Sequence, residues 1–110
     1  MKENIGRIVE VVVDRPVGSH HPIYKEMIYP LNYGYIPNII GGDGDEQDAY
    51  MLGVDIPISN FCGTVIAVIT RKNDNETKWV VASVGAEYCV SDIRKAVEFQ
   101  EQYFDFEIIV

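Results

Sequence analysis

The run Ile8-Val9-Glu10-Val11-Val12-Val13 constrains the fold more than any other stretch, because five of its six residues are β-branched. Branching at Cβ stiffens the side chain and favours a pleated strand, and the run reads as a central one. Asp14-Arg15-Pro16-Val17-Gly18-Ser19 ends it, since proline withdraws a ladder donor and glycine favours a turn. Short strands are expected around Lys25–Tyr29 and Asp48–Val54, and Ile56-Pro57-Ile58-Ser59-Asn60 reads as a connection. Gly63–Thr70 is the clearest strand after the first, and Lys78–Ser83 returns as its hairpin partner across the polar turn Arg71–Thr77. One helix is expected from Ser91 to Phe104. Ser91 suits the N-cap, Asp92 suits the positive end of the dipole, and Ile93, Ala96, Val97, Tyr103 and Phe104 form an inward face. Short strands, Gly and Pro turns and a single late helix predict a mainly β fold, a small β-barrel with a C-terminal α-helix packed on it.

With 110 residues the chain has room for one domain, 1–110, and an apolar fraction of 47% argues against disorder. No apolar run approaches the roughly 18 residues that span a bilayer. The polar start Met1-Lys2-Glu3-Asn4-Ile5-Gly6 lacks a signal-peptide core, so a cytoplasmic location is expected. A net charge of −8 disfavours nucleic acid and anionic membranes as partners. A small phosphate-containing substrate stays open, because bound cations invert the field inside one pocket. Cys62 and Cys89 have neither metal-ligand spacing nor a redox motif and are expected to be buried, reduced thiols.

The chemistry-bearing block is Tyr29-Pro30-Leu31-Asn32-Tyr33-Gly34-Tyr35-Ile36-Pro37, followed by Asp43-Gly44-Asp45-Glu46-Gln47-Asp48. Asp43 and Asp45 lie two positions apart, so an extended backbone sends both side chains one way, and Asp48 completes the cluster. Crowded carboxylates repel unless a cation neutralises them, and oxygen donors suit a hard ion such as Mg²⁺. Taken alone, the stretch reads first as an ordinary solvated Asp-Gly turn. An EF-hand does not fit: Gln47, Asp48 and Val54 fall on the fifth, sixth and twelfth loop positions, where that motif needs a ligand, a glycine and a glutamate.

Together the two halves resemble the soluble inorganic pyrophosphatases of the one-domain, Mg²⁺-dependent family. Tyr29 through Asp48 reproduces that family's Tyr-Pro-x-Asn-Tyr-Gly and Asp-Gly-Asp-Pro-x-Asp signatures without a gap, with Glu46 in the proline position and Gln47 where an apolar residue is usual. The resemblance implies an OB-like five-stranded barrel and Mg²⁺-dependent hydrolysis of pyrophosphate or a related phosphoanhydride. It implies Asp43 and Asp48 as Mg²⁺ ligands, Asp45 as the base acting on water, and Tyr33 as a phosphate-contacting hydroxyl. It further implies metal carboxylates at Glu76, Asp74 and Asp14, a phosphate-gripping Lys78, and a homo-oligomer.

Departures from the pattern fall on the substrate grip. Tyr29 follows Asp14 by only fifteen positions, a segment that is longer in the family and carries a lysine and an arginine. Lys25 matches the lysine with an offset of one; Arg15 is the candidate for the arginine, which has no direct counterpart. The family's C-terminal Tyr-Lys pair falls on Tyr103-Phe104, so its lysine is absent. His20 and His21 read as exposed turn residues. The alternative is therefore a non-catalytic domain that binds metal and a phosphate ligand. Apolar Phe104, Phe106, Ile108, Ile109 and Val110, with little of the chain left to cover them, point independently to self-association.

Overall fold

The computed structural model describes residues 2–110. Strands β1 (Ile8–Arg15), β2 (Asn32–Ile40), β3 (Glu46–Met51), β4 (Asn60–Arg71) and β5 (Thr77–Ala82) precede helix α1 (Val90–Glu101) and a final strand β6 (Phe106–Ile109). The sheet runs β1-β2-β3-β5-β4-β6 and closes through an additional β1–β4 pairing, so five strands form a barrel and β6 extends it beyond β4. All pairings are antiparallel except β3 with β5. The mainly β, five-stranded barrel with one helix expected from the sequence is the observed architecture.

Two apolar layers hold it. Val9, Val11, Val13, Ile36, Ala49, Met51, Val65, Val68, Trp79 and Val81 come from all five barrel strands and pack together. The opposite faces of β2 to β5 supply Tyr33, Tyr50, Ala67, Ile69 and Val80, which pack against Ile93 and Val97 of α1. β1 accordingly alternates rather than being buried throughout: Val9, Val11 and Val13 are buried while Ile8 and Glu10 are exposed. Gly34 is required where β2 crosses β1, because a Cβ there would fall on the Val12 carbonyl.

Several local expectations are corrected. Lys25–Tyr29 forms no strand; its only ladder contact is an isolated His20–Ile28 bridge. The strand lies instead in the aromatic block, as β2, and Pro37 is accommodated because the β2–β3 register shifts between Ile36 and Ile40. β3 begins earlier than Asp48 and stops at Met51. Helix α1 starts at Val90 with Cys89 rather than Ser91 as N-cap, and no side chain caps it. It ends at Glu101, so Tyr103 and Phe104 lie beyond it, and Tyr103 is exposed. The chain turns there to bring Phe106–Ile109 onto β4, pairing Val68 with Ile109 and Arg71 with Phe106. The apolar C-terminal residues are thereby half-covered by their own chain, apart from exposed Val110. Cys62 and Cys89 are free but exposed, not buried.

Candidate metal and phosphate site

Register builds the centre of the site. The parallel β3–β5 pairing sets Asp48 opposite Lys78, and Lys78 Nζ donates to Asp48 Oδ2 at 2.7 Å. The same ammonium donates to the Tyr33 hydroxyl at 2.9 Å and lies 3.6 Å from Glu76 Oε1. Buried Gln47 locks this register: its Nε2 donates to the Thr77 carbonyl at 2.8 Å and its Oε1 accepts from Thr77 Oγ1 at 3.1 Å. That explains an amide where an apolar residue was expected.

Two turns complete the cluster. Gly42 lies so close to the Asn75 carbonyl that a Cβ would collide with it, which holds the 41–45 loop against the 72–76 turn. Single carboxylate oxygens of Asp43, Asp48 and Glu76 then all lie within 4.8 Å of one another. Asp45 is not in this group. Residues 42–45 form a turn with Gly44 at φ +88°, and the Asp45 N–H donates to Asp43 Oδ1 at 3.0 Å, so the extended backbone expected to align the two side chains is absent.

A cleft of about 1020 Å³ opens at the cluster, its lining including Asp14, Arg15, Tyr33, Asp48, Glu76 and Lys78. Tyr103 also lines it, but Lys25 does not. Burial, reinforced by the charge of Asp48, holds the Asp14 carboxyl above its usual range, against the opposing pull of Arg15. Burial lowers the Arg15 guanidinium, but its bond to the Tyr29 hydroxyl at 3.0 Å together with the charges of Tyr29, Asp14 and Tyr33 leaves it above its ordinary value. His21 lines the cleft half-buried rather than lying exposed, and its Nδ1 accepts the Ile23 and Tyr24 N–H groups at 3.1 Å each. His20 is exposed and bonds the Lys25 carbonyl at 2.7 Å.

Sequence reasoning missed Arg71. Its side chain is 4% exposed, and it pairs with Glu76 Oε2, with Asp74 Oδ2 at 3.6 Å and with fully buried Glu101. Tyr50 donates to Glu101 at 2.6 Å, Gln100 donates to the Tyr50 hydroxyl at 2.8 Å, and Tyr29 donates to Gln100 at 3.2 Å. A continuous polar chain thus runs beneath the helix C-terminus from Arg15 to the carboxylates. The only trace of it in the sequence is Gln100-Glu101 lying on the same helical face as Ile93 and Val97.

The chain has relatives. A model of the family described as inorganic pyrophosphatase matches residues 9–106. The chain belongs to the inorganic pyrophosphatase family. It is 36% identical over 66 residues to an inorganic pyrophosphatase of Saccharolobus solfataricus, a match covering 54% of this chain and 37% of that protein. To one of Corynebacterium glutamicum it is 33% identical over 73 residues, covering 53% and 44%. The matched region thus spans less than half the length of these curated relatives. Among solved structures, the Helicobacter pylori inorganic pyrophosphatase superposes with a TM-score of 0.70 at 18% identity, covering 96% of this chain and 84% of that one. An inorganic pyrophosphatase from Neisseria gonorrhoeae gives 0.64 at 24%, covering 89% and 74%. Those two superpositions show the fold.

Proposed function

We propose that this chain hydrolyses pyrophosphate or a related phosphoanhydride with the help of Mg²⁺. The observation that carries the reading is the convergence of Asp43, Asp48 and Glu76 oxygens within 4.8 Å of one another beside Lys78. The donor set fits the ion, being all oxygen and all anionic. Asp43, Asp48 and Glu76 would hold Mg²⁺, which when bound polarises phosphoryl oxygens and acidifies water.

The remaining work falls to the chain itself. Lys78 and Arg15 bring positive charge to the cleft, where the carboxylates would otherwise repel a phosphate. Tyr33 accepts from Lys78 and hydrogen-bonds Asp48, and this phenol between lysine and carboxylate is the hydroxyl we assign to contact phosphate. Asp45, exposed on the turn next to Asp43, is the carboxylate we assign to accept the proton of water, and Tyr103, which lines the cleft, is assigned to contact substrate. Asp14 stands at the rim as an outer carboxylate. The two free, exposed cysteines suit a reducing, cytoplasmic setting.

A second reading, a non-catalytic domain binding metal and a phosphate ligand, is favoured by one observation: Asp45 lies outside the three-carboxylate group. Phosphate release with Mg²⁺, compared between wild type and Asp45→Asn, separates the two.

A further inference from the structure

We propose that Arg71 is a resident cation of this site, filling its Asp74–Glu76 side so that the chain binds one divalent ion there rather than two. The inference rests on the Mg²⁺ reading above and concerns how many ions the site takes.

Each of the three converging carboxylates has one oxygen already engaged. Asp43 Oδ1 accepts the Asp45 N–H at 3.0 Å, Asp48 Oδ2 accepts Lys78 at 2.7 Å, and Glu76 Oε2 accepts Arg71 Nη1. Each keeps a second oxygen, Glu76 Oε1 with Lys78 Nζ 3.6 Å away, and three such donors suit a single octahedral ion that keeps several waters. The second acidic pair is no vacant counterpart. Asp74 spends Oδ1 on the Glu76 N–H at 2.9 Å and turns Oδ2 toward Arg71 at 3.6 Å.

Arg71 is not a surface cation that swings away. Glu101 holds it from below through Nε and Nη2, both at 2.9 Å, and the Phe104 ring covers one face with its centroid 3.6 Å from Cζ. Glu101 is itself fixed by Tyr50, which Gln100 supports. A guanidinium stays charged at any working pH, so no proton loss relieves its repulsion of a second divalent ion on Glu76. It also supplies fixed positive charge to a cleft whose sequence otherwise lacks a clear phosphate-gripping arginine.

Counting bound Mn²⁺, used as the Mg²⁺ probe, by equilibrium dialysis tests this. Wild type should bind one ion per chain. The pair Arg71→Gln with Glu101→Gln, which removes both members of the buried ion pair, should bind two, while Arg71→Lys should stay at one. Emission of buried Trp79 reports that each variant keeps its barrel. As a check that does not disturb the interior, Asp74→Asn should leave one ion bound with unchanged affinity. Two ions on wild type, an unchanged count in the paired variant, or loss of the ion in Asp74→Asn overturns the role of Arg71. Wild type binding none overturns the Mg²⁺ reading on which that role depends.

Discussion

Arg71 and Glu101 meet in a two-point pair, Nε to Oε1 and Nη2 to Oε2, both at 2.9 Å, with the Glu101 side chain wholly buried. The pair joins β4 to the last turn of α1, so it fixes where the helix ends over the site. Removing Glu101 strips the buried guanidinium of its two-point partner and leaves it only Glu76 and Asp74, a loss of about 3–5 kcal/mol. Glu101→Ala should lower the stability from urea unfolding by that order, and a change of less than about 1 kcal/mol contradicts a structural role for the pair.

Magnesium should stabilise the fold. Neutralising Asp43, Asp48 and Glu76 relieves their repulsion, and an ion that binds only the native state adds about 2.7 kcal/mol at a hundred times its Kd. Thermal melts in EDTA and in excess Mg²⁺ should differ by several degrees for wild type. The difference should collapse in Asp48→Asn, and identical midpoints for wild type argue against any ion site.

Alkaline pH should weaken the protein through two phenols. Burial, with Glu101 beside it, pushes the Tyr50 hydroxyl well above its ordinary value; burial and Asp48 raise Tyr33. The folded values lie above the unfolded value of about 10, so this stability is present below pH 10 and is lost as pH rises beyond it. Of the seven tyrosines, these two should show phenolate absorbance only as the chain unfolds. Seven phenols titrating together in the folded state contradict their burial.

What the sequence made legible follows from where its signals are local. Ile8–Val13, Gly63–Thr70 and Lys78–Ser83 carry β-branched or alternating patterns, and each lies in an observed strand except for Ser83 at the edge. β2 is hidden in the sequence because proline and glycine are disfavoured inside strands and Pro30, Gly34 and Pro37 punctuate the block, and only the barrel shows that Gly34 serves a close strand crossing. The three carboxylates that converge, Asp43, Asp48 and Glu76, were legible as a set, the first two from the signature motif and Glu76 from its place two residues before Lys78. Asp45 differs because two-residue spacing aligns side chains only on extended backbone, and here the chain turns. Arg71 and Glu101 stand thirty positions apart, and their pairing depends on β4 and α1 packing together, which no local pattern encodes.

Self-association should use the outer edge of β6. Among the described residues that strand pairs only with β4, leaving it an edge strand beside half-buried Phe106, Ile108 and Ile109. Light scattering at micromolar concentration should report a mass above the 12.4 kDa of one chain. A monomer there, or an oligomer unaffected by Ile108→Lys, excludes this edge as the contact.

Phosphate release bears most directly on the central claim. Purified protein should release phosphate from pyrophosphate, a short polyphosphate or a nucleoside triphosphate only when Mg²⁺ is present. Asp45→Asn should cut the rate about 10²–10⁴-fold, the range for loss of a general base. No release from any of the three substrates, or full rate in Asp45→Asn, contradicts the catalytic account.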